Sequence, residues 1–559
     1  MKRVGIVKTF IRSRWFSALG LGLAPVFVLA LAVLDARMLT DAMPTAAWTG
    51  IGVLLWAIWL FTSAFLGWRA TSSHRALGAC GGACAALFIS LVVSWVHGAA
   101  RLVENSESPG DSEVCTFEPS SDKPPNVVLV LVDTLRRDRL GLYGYGRDTS
   151  EHLDAFAQRS MVFENGFAQS PSTKASIASI FTGLFPNQHR AIYNPDSLAD
   201  DVSTLAEELG ERGYRSAAFV ENPMIGKEFN YHQGFDRWSE DFSRHTPKKE
   251  SPKTEAFDAE IQKWLGEAIR EESQTPYFLY VHYIDPHSPY SAPKPYSNYY
   301  RSGEAGGDVL RVGDQRDKDT AALSDRYDEE IRFIDDRVAR ILKRVGATES
   351  LARDRETVVL FVSDHGEGFK EHGKLHHSYG VYGELIRVPL LVHLPGGACA
   401  GRVHRSAQHV DILPTLLRLA DGVGFEADIG DSVSAGLLDS SSDSSRAAFG
   451  EHLRDGWGMR QSYLIRDGHK LIENIDYGVL ELYDVTRDPH DQRNLLLPWE
   501  AAAVIAGLPI GALSPAAAIA RERLQELRVY QALEVDRVAD EADIDEETRE
   551  ALKNLGYVW

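Results

Sequence analysis

Three apolar runs in this chain of 559 residues end on side chains that can ligate a cation or carry a proton. Asp133 follows residues 127–132. Asp364 and His365 follow residues 358–362. His282, Asp285 and His287 lie at or just beyond the end of residues 277–283. In open α/β sheets the site forms beyond the carboxyl ends of the strands. Three runs of this kind would therefore carry their Asp and His residues to one edge, and carboxylates gathered with imidazoles are metal-ligand chemistry. Any one of these residues alone reads as a capping Asp or a surface His; the recurrence at three strand ends is what points to a site.

A hydroxyl in a special position adds a nucleophile. In the segment 169–186, Pro171 and Ser172 break the preceding run, small helix-compatible residues follow, and Gly183 is placed to end a helix. Thr173 then stands at the positive end of that helix, where backbone N–H groups favour an anion. Helix capping is the plain reading of such a Thr; attack on a phosphate or sulfate ester is the chemical one.

The elements that must position these residues follow from the same apolar patterning. Candidate strands are residues 127–132, 216–220, 277–283, 358–362 and 389–393, and candidate helices are 201–212, 254–271 and 323–345. Fully apolar strands separated by helices predict an α/β fold, with a mostly parallel sheet sandwiched by helices. Residues 450–495 change to shorter strands and turns, a smaller C-terminal subdomain. The predicted organisation is a three-helix transmembrane region at 1–101, a Ser-, Glu-, Asp- and Pro-rich linker at 102–125, a catalytic domain at 126–430, the subdomain at 431–498 and a helical tail at 499–559.

The membrane expectation rests on three charge-free apolar stretches, residues 16–34, 46–68 and 76–96. Each is long enough for a hydrocarbon core of about 30 Å at about 1.5 Å per residue. Lys2, Arg3, Lys8, Arg12 and Arg14 precede the first stretch, and Arg69 and Arg75 separate the second from the third. By the positive-inside rule the amino terminus is inside, and everything after residue 96 is outside. Cleavage of the first stretch as a signal peptide would leave the large domain on the same side. The expected location is the cell membrane, multi-pass, with the catalytic domain on the extracytoplasmic (periplasmic) side.

Up to Arg101 there are nine Lys or Arg against two acidic residues, so of the net −20 the remainder carries −27, which argues against nucleic acid as a partner. Cys115 and Cys399 are the exported cysteines and could form a disulfide, and no Cys cluster has zinc-site spacing.

The ordered motifs resemble the sulfatase branch of the alkaline phosphatase superfamily. They are Asn126 to Arg136, the Thr173 segment closing on Thr182-Gly183, Tyr283 to Tyr290, Ser363 to Glu367, Glu371-His372-Gly373 with His377, Val388-Pro389 and Asp411 to Thr415. Leu482 to Asp484, Asp488-Pro489 and Asn494-Leu495 complete the set. The resemblance spans residues 126–495 and implies an alkaline-phosphatase-like fold. It also implies that Asp133, Asp364 and His365 hold the principal metal ion and that Thr173 is the nucleophile and touches that metal. His287 would contact the transferred group or assist the leaving oxygen. His377 stands where many sulfatases have Lys and phosphoesterase relatives have His; Lys374 is a nearby source of positive charge for substrate binding.

Two departures from the family pattern shape the expected function. Sulfatases carry Cys or Ser, followed by x-Pro-x-Arg, at the nucleophile, and oxidise it to formylglycine. Here the run is Thr173 to Ile177, and the methyl on a Thr Cβ allows only a ketone. Thr134 stands where calcium-binding sulfatases commonly have a second Asp, which weakens a hard oxygen-rich site. Two Asp, one His and a hydroxyl favour zinc or manganese, with calcium the alternative. The expected protein is thus a metal-dependent hydrolase or transferase acting on a phosphate ester through Thr173. A sulfatase without formylglycine is the alternative, and a silent binding protein on the same fold is the alternative from another class. The three apolar stretches favour a lipid-linked or envelope-associated substrate, since one span already suffices as an anchor.

Overall fold

The computed structural model describes residues 113–117, 123–245, 254–272, 274–300, 320–348, 355–422, 425–429, 446–453, 460–509, 514–535, 539, 541–555 and 557. The three apolar amino-terminal stretches lie outside these residues. No helix among the described residues is long and apolar enough to cross a membrane.

A short strand, β1 (Glu113–Phe117), precedes the central sheet, whose strands are β2 (Asn126–Val132), β3 (Met161–Phe167), β4 (Arg215–Val220), β5 (Arg237–Glu240), β6 (Tyr277–Tyr283) and β7 (Thr357–Ser363). After a small hairpin, β8 (Gly368–Phe369) and β9 (Leu375–His376), the sheet is completed by β10 (Leu390–His393) and β11 (Gly401–Gln408). The order is β11-β3-β10-β7-β2-β6-β4-β5. All neighbours are parallel except β10, which is antiparallel to β3 and β7. β1, inside the segment read as a linker, pairs with β12 (Phe425–Ile429).

β2 shows why this sheet is central. Val127, Leu129 and Leu131 enter one core, while Val128, Val130 and Val132 enter the other. Each fully buried side chain of this kind contributes roughly 1.5–3 kcal/mol, so covering both faces makes the strand order costly to change. On the first face pack helices α2 (Thr173–Thr182), α3 (Leu205–Glu211) and α6 (Ile412–Ala420). On the second pack α1 (Glu151–Ala157), α4 (Thr254–Glu271) and α5 (Thr320–Val345).

The expected strands and two of the three expected helices fall where the apolar patterning put them. The helix expected over residues 201–212 starts only at Leu205. The Thr204 side chain accepts the Glu207 N–H while the Glu207 carboxylate takes the Thr204 N–H, a capping box that fixes the first turn there. β3, β5 and β11 lack a fully apolar run, because β5 and β11 edge the sheet and β3 is mixed at its centre.

The C-terminal part is a four-stranded antiparallel sheet, β13 (Ala448–His452), β14 (Gln461–Arg466), β15 (His469–Asn474) and β16 (Val479–Asp484). Leu464, Leu471 and Leu482 pack against Ala501 and Val504 of α7 (Pro498–Ile505) and Ala517, Ala520 and Leu527 of α8 (Pro515–Gln531). A last helix, α9 (Glu546–Asn554), returns to the main core. Cys399 is disulfide-bonded, and the Cys115 side chain lies outside the described side chains.

Candidate active site

Register builds the centre of the site. Val132 of β2 pairs with Ser363 of β7, so the next residues, Asp133 and Asp364, leave the sheet side by side. The potential ligand atoms of Asp133, Asp364 and His365 all lie within 4.8 Å of one another, and all three residues are buried. Asp364 accepts the backbone N–H of Thr134 (3.0 Å) and of His365 (2.8 Å) on Oδ1. The first bond is possible because Thr134 adopts a left-handed backbone, with φ of 54°. Asp133 receives Asn222 and His282 on Oδ2, the latter at 3.1 Å.

One oxygen of each carboxylate, Asp133 Oδ1 and Asp364 Oδ2, is left buried without a hydrogen-bond partner. Such groups are expensive. Burial pushes Asp133 up to about 7 against the pull of His365 and Asn222. Burial, then the neighbouring Asp133, raises Asp364. For His365 burial acts downward, but the Asp364 and Asp133 carboxylates outweigh it and raise the ring. His365 Nδ1 donates to the Gly366 carbonyl at 2.9 Å, so Nε2 is the ring nitrogen turned toward the centre. Gly366 admits no side chain, because a Cβ there would lie 2.0 Å from the Glu384 carbonyl oxygen. Two bare carboxylate oxygens, an imidazole nitrogen and a hydroxyl fit a divalent cation.

Thr173 supplies that hydroxyl. It is the first residue of α2, after an extended Ser172, and Gly183 closes the helix in the left-handed region at φ 69°. Its Oγ1 lies 3.3 Å from His365 Nε2. The next residue, Lys174, is buried and turned away, its ammonium donating to the Asn194 and Asp196 carbonyls at 2.7 Å each.

His287 and His377 form the side of the site away from the carboxylates. Their ring centroids are 5.0 Å apart, and His377 is 4.5 Å from the His365 ring. His377 Nδ1 meets Glu367 at 3.1 Å, and Glu367 is also held by the Tyr290 hydroxyl at 2.9 Å. Burial, with the His365 charge, pushes the His377 ring downward.

The fold brings six of the seven residues singled out for catalysis, substrate or metal into one cluster: Asp133, Thr173, His287, Asp364, His365 and His377. Lys374 stands apart. It is exposed in the turn of the β8–β9 hairpin, its carbonyl closing on the Lys370 N–H, and no contact among the described residues carries it to the cluster. Asp285 also turns elsewhere, lying 3.6 Å from the buried Arg337 that binds Glu221 and Asp258.

Four participants carried weak or no sequence signal. His282 ends β6 and was legible as a strand-end residue, though not as the support for Asp133. Asn222, two residues beyond β4, obeys the same strand-end rule. Glu367 sits within a motif but had no role, and Tyr557, whose hydroxyl lies 3.2 Å from His287 and 3.4 Å from His377, gave no signal at all.

The sheet and the helices packed on it form a fold that known proteins share. The sulfatase family pattern matches residues 125–423, and the chain belongs to that family. The uncharacterized sulfatase YidJ of Escherichia coli (strain K12) is 23% identical over 424 residues, covering 67% of this chain and 83% of its own. The arylsulfatase of Clostridium perfringens (strain 13 / Type A) is 24% identical over 447 residues, covering 66% of this chain and 90% of its own. In fold, the phosphonate monoester hydrolase of Agrobacterium radiobacter matches with a TM-score of 0.54 at 21% identity, over 74% of this chain and 96% of that one.

Proposed function

We propose that this sulfatase-family hydrolase cleaves a phosphate ester, or passes its phosphoryl group to an acceptor alcohol, through a covalent intermediate on Thr173. The observation that carries this reading is the Thr173 hydroxyl at the head of α2, 3.3 Å from His365 Nε2. Asp133, Asp364, His365 and Thr173 would hold a divalent cation, zinc or manganese on the chemistry of the donor set. When bound, that ion supplies positive charge at the reacting centre and favours the ionised hydroxyl. Thr173 releases its proton to water, and its Oγ1 forms a bond to phosphorus as the ester oxygen departs on the side of His287 and His377 and takes a proton from water. Water or an alcohol later displaces Thr173 and restores its hydroxyl.

The Thr side chain itself favours phosphate over the formylglycine route, since its Cβ methyl leaves no aldehyde to form. A second reading, a sulfate ester attacked directly by Thr173, is favoured by the relatives named as sulfatases. The apolar stretches at 16–34, 46–68 and 76–96 support a membrane-anchored enzyme with the catalytic domain on the extracytoplasmic side, and a lipid-linked or envelope-associated substrate.

The test is mass analysis of protein incubated separately with aryl phosphate and aryl sulfate esters, followed by peptide mapping. A phosphoryl adduct on Thr173 is expected with the phosphate ester alone. Thr173→Ala should show no adduct and no turnover, and Thr173→Ser should keep part of both. Full turnover by Thr173→Ala would sink the nucleophile assignment. An adduct formed only with the sulfate ester would favour the second reading.

A further inference from the structure

Tyr557, just after α9, sets its hydroxyl against the His287 and His377 side of the site. Asp545 caps that helix by accepting the Thr548 N–H at 2.8 Å, and Ala551, Leu552 and Leu555 are buried. Ile544 and Leu552 enter the main core. The Ala542 N–H donates to the Pro195 carbonyl at 2.7 Å, close to the carbonyls that clamp Lys174 beside the nucleophile. The Tyr557 N–H then closes on the Leu552 carbonyl at 3.0 Å, and its half-buried ring packs against the same core. The segment is therefore part of the packed domain.

Its hydroxyl lies at a defined spot. His287 Nδ1 donates to the Ser288 carbonyl at 2.6 Å and His377 Nδ1 to Glu367 at 3.1 Å. With those nitrogens committed, both Nε2 atoms are directed at one point, and Tyr557 Oη occupies it at 3.2 and 3.4 Å. A phenol is at once a donor and an acceptor. It has one proton, which rests on one ring's lone pair and can turn to a substrate oxygen that enters beside it. The His377 ring lies 4.5 Å from the His365 ring, which faces Thr173, so this point borders the space where an ester on Thr173 would lie.

Resting on the reading of Thr173 as nucleophile, we propose that Tyr557 is a substrate-contacting residue whose hydroxyl turns its proton from the histidine rings to the departing ester oxygen and donates a hydrogen bond to it. The proton stays on the phenol, and the bond stabilises charge as it develops on that oxygen.

The experiment compares Tyr557→Phe with the unaltered full chain on a series of phosphate monoesters and diesters whose leaving groups run from nitrophenol to simple alcohols. The substitution removes one oxygen and keeps the ring, so the melting temperature should stay within about 2 °C, given that only the part-buried hydroxyl contacts with the two rings are lost. Expected is a fall of about tenfold in kcat for the best leaving groups, deepening to about 100-fold for the poorest, with KM little changed. A uniform loss across the series would reduce Tyr557 to a packing role and overturn the proposal. Unchanged rates would overturn it too, and so would faster turnover, which would make the segment an obstruction. Thr173→Ala run in parallel separates the two ideas: activity surviving there refutes the nucleophile, whereas an inactive Thr173→Ala beside a flat Tyr557→Phe series refutes the Tyr557 proposal alone.

Discussion

His282 Nε2 lies 3.1 Å from Oδ2 of Asp133, and both side chains are fully buried. Burial holds the His282 ring down, to about 4, so it is neutral at ordinary pH. It then donates from Nε2 to the carboxylate and accepts the Tyr280 hydroxyl on Nδ1 at 3.0 Å. Asn222 binds the same oxygen of Asp133. Together they saturate one side of the carboxylate and leave Oδ1 facing Asp364 and His365. A neighbour that orients a metal ligand in this way matters to the ion almost as much as the ligand does.

Replacing His282 with Phe, or Asn222 with Ala, should weaken binding of the divalent ion by about 10- to 100-fold, the usual range for such supports. Isothermal titration of metal into chelator-stripped protein reads this directly. An affinity unchanged in both variants would mean that Asp133 holds its orientation without them.

The buried carboxylates predict how metal removal couples to pH. In the metal-free protein Asp133 titrates at about 7, against an ordinary value of 3.8. Between those limits the unfolded chain has already lost a proton that the folded chain keeps, so stability falls as pH rises from about 4 to about 7. Asp364, raised by burial and by Asp133, acts in the same direction. Stripped protein should therefore melt lower at pH 8 than at pH 5. Zinc or manganese should restore more stability at pH 8, where both carboxylates are ready to bind it. A stripped protein whose melting temperature rises across this interval would contradict the assignment.

Glu451 offers a related test away from the metal ligands. Burial pushes its carboxyl up to about 8, with the Glu534 charge adding to the rise, and its Oε2 has no hydrogen-bond partner. Its backbone N–H donates to the Gln169 carbonyl at 2.7 Å, tying β13 to the loop before Thr173. An ionisable group raised in this way costs stability progressively between its ordinary value of 4.5 and about 8. Glu451→Gln should thus melt higher than the parent, with the gap growing from pH 5 to pH 8 and level above it. A gap that shrinks with rising pH would mean that the Arg190 charge outweighs burial at Glu451 and would refute this account.

How far the residues alone could be read depends on which forces are local. The strands ending on Asp133 and on Asp364-His365 were legible because runs of six and five apolar residues, buried on both faces, leave few alternatives to a central parallel strand. Thr173 was legible because a broken run, small residues and Gly183 mark a helix start and stop within a short window. Edge strands β5 and β11 were not, since a half-exposed strand carries no such run. The tertiary structure alone decided which carboxylate oxygens stay bare, because that depends on Asn222 and His282 arriving from two other strands. It also left Lys374 outside, where the short β8–β9 turn exposes it. Tyr557 meets His287 across 270 positions of sequence. That contact is set by how α9 packs on the core, and burial of Leu552 and Ile544 carries no mark in the sequence of which strand ends they will face.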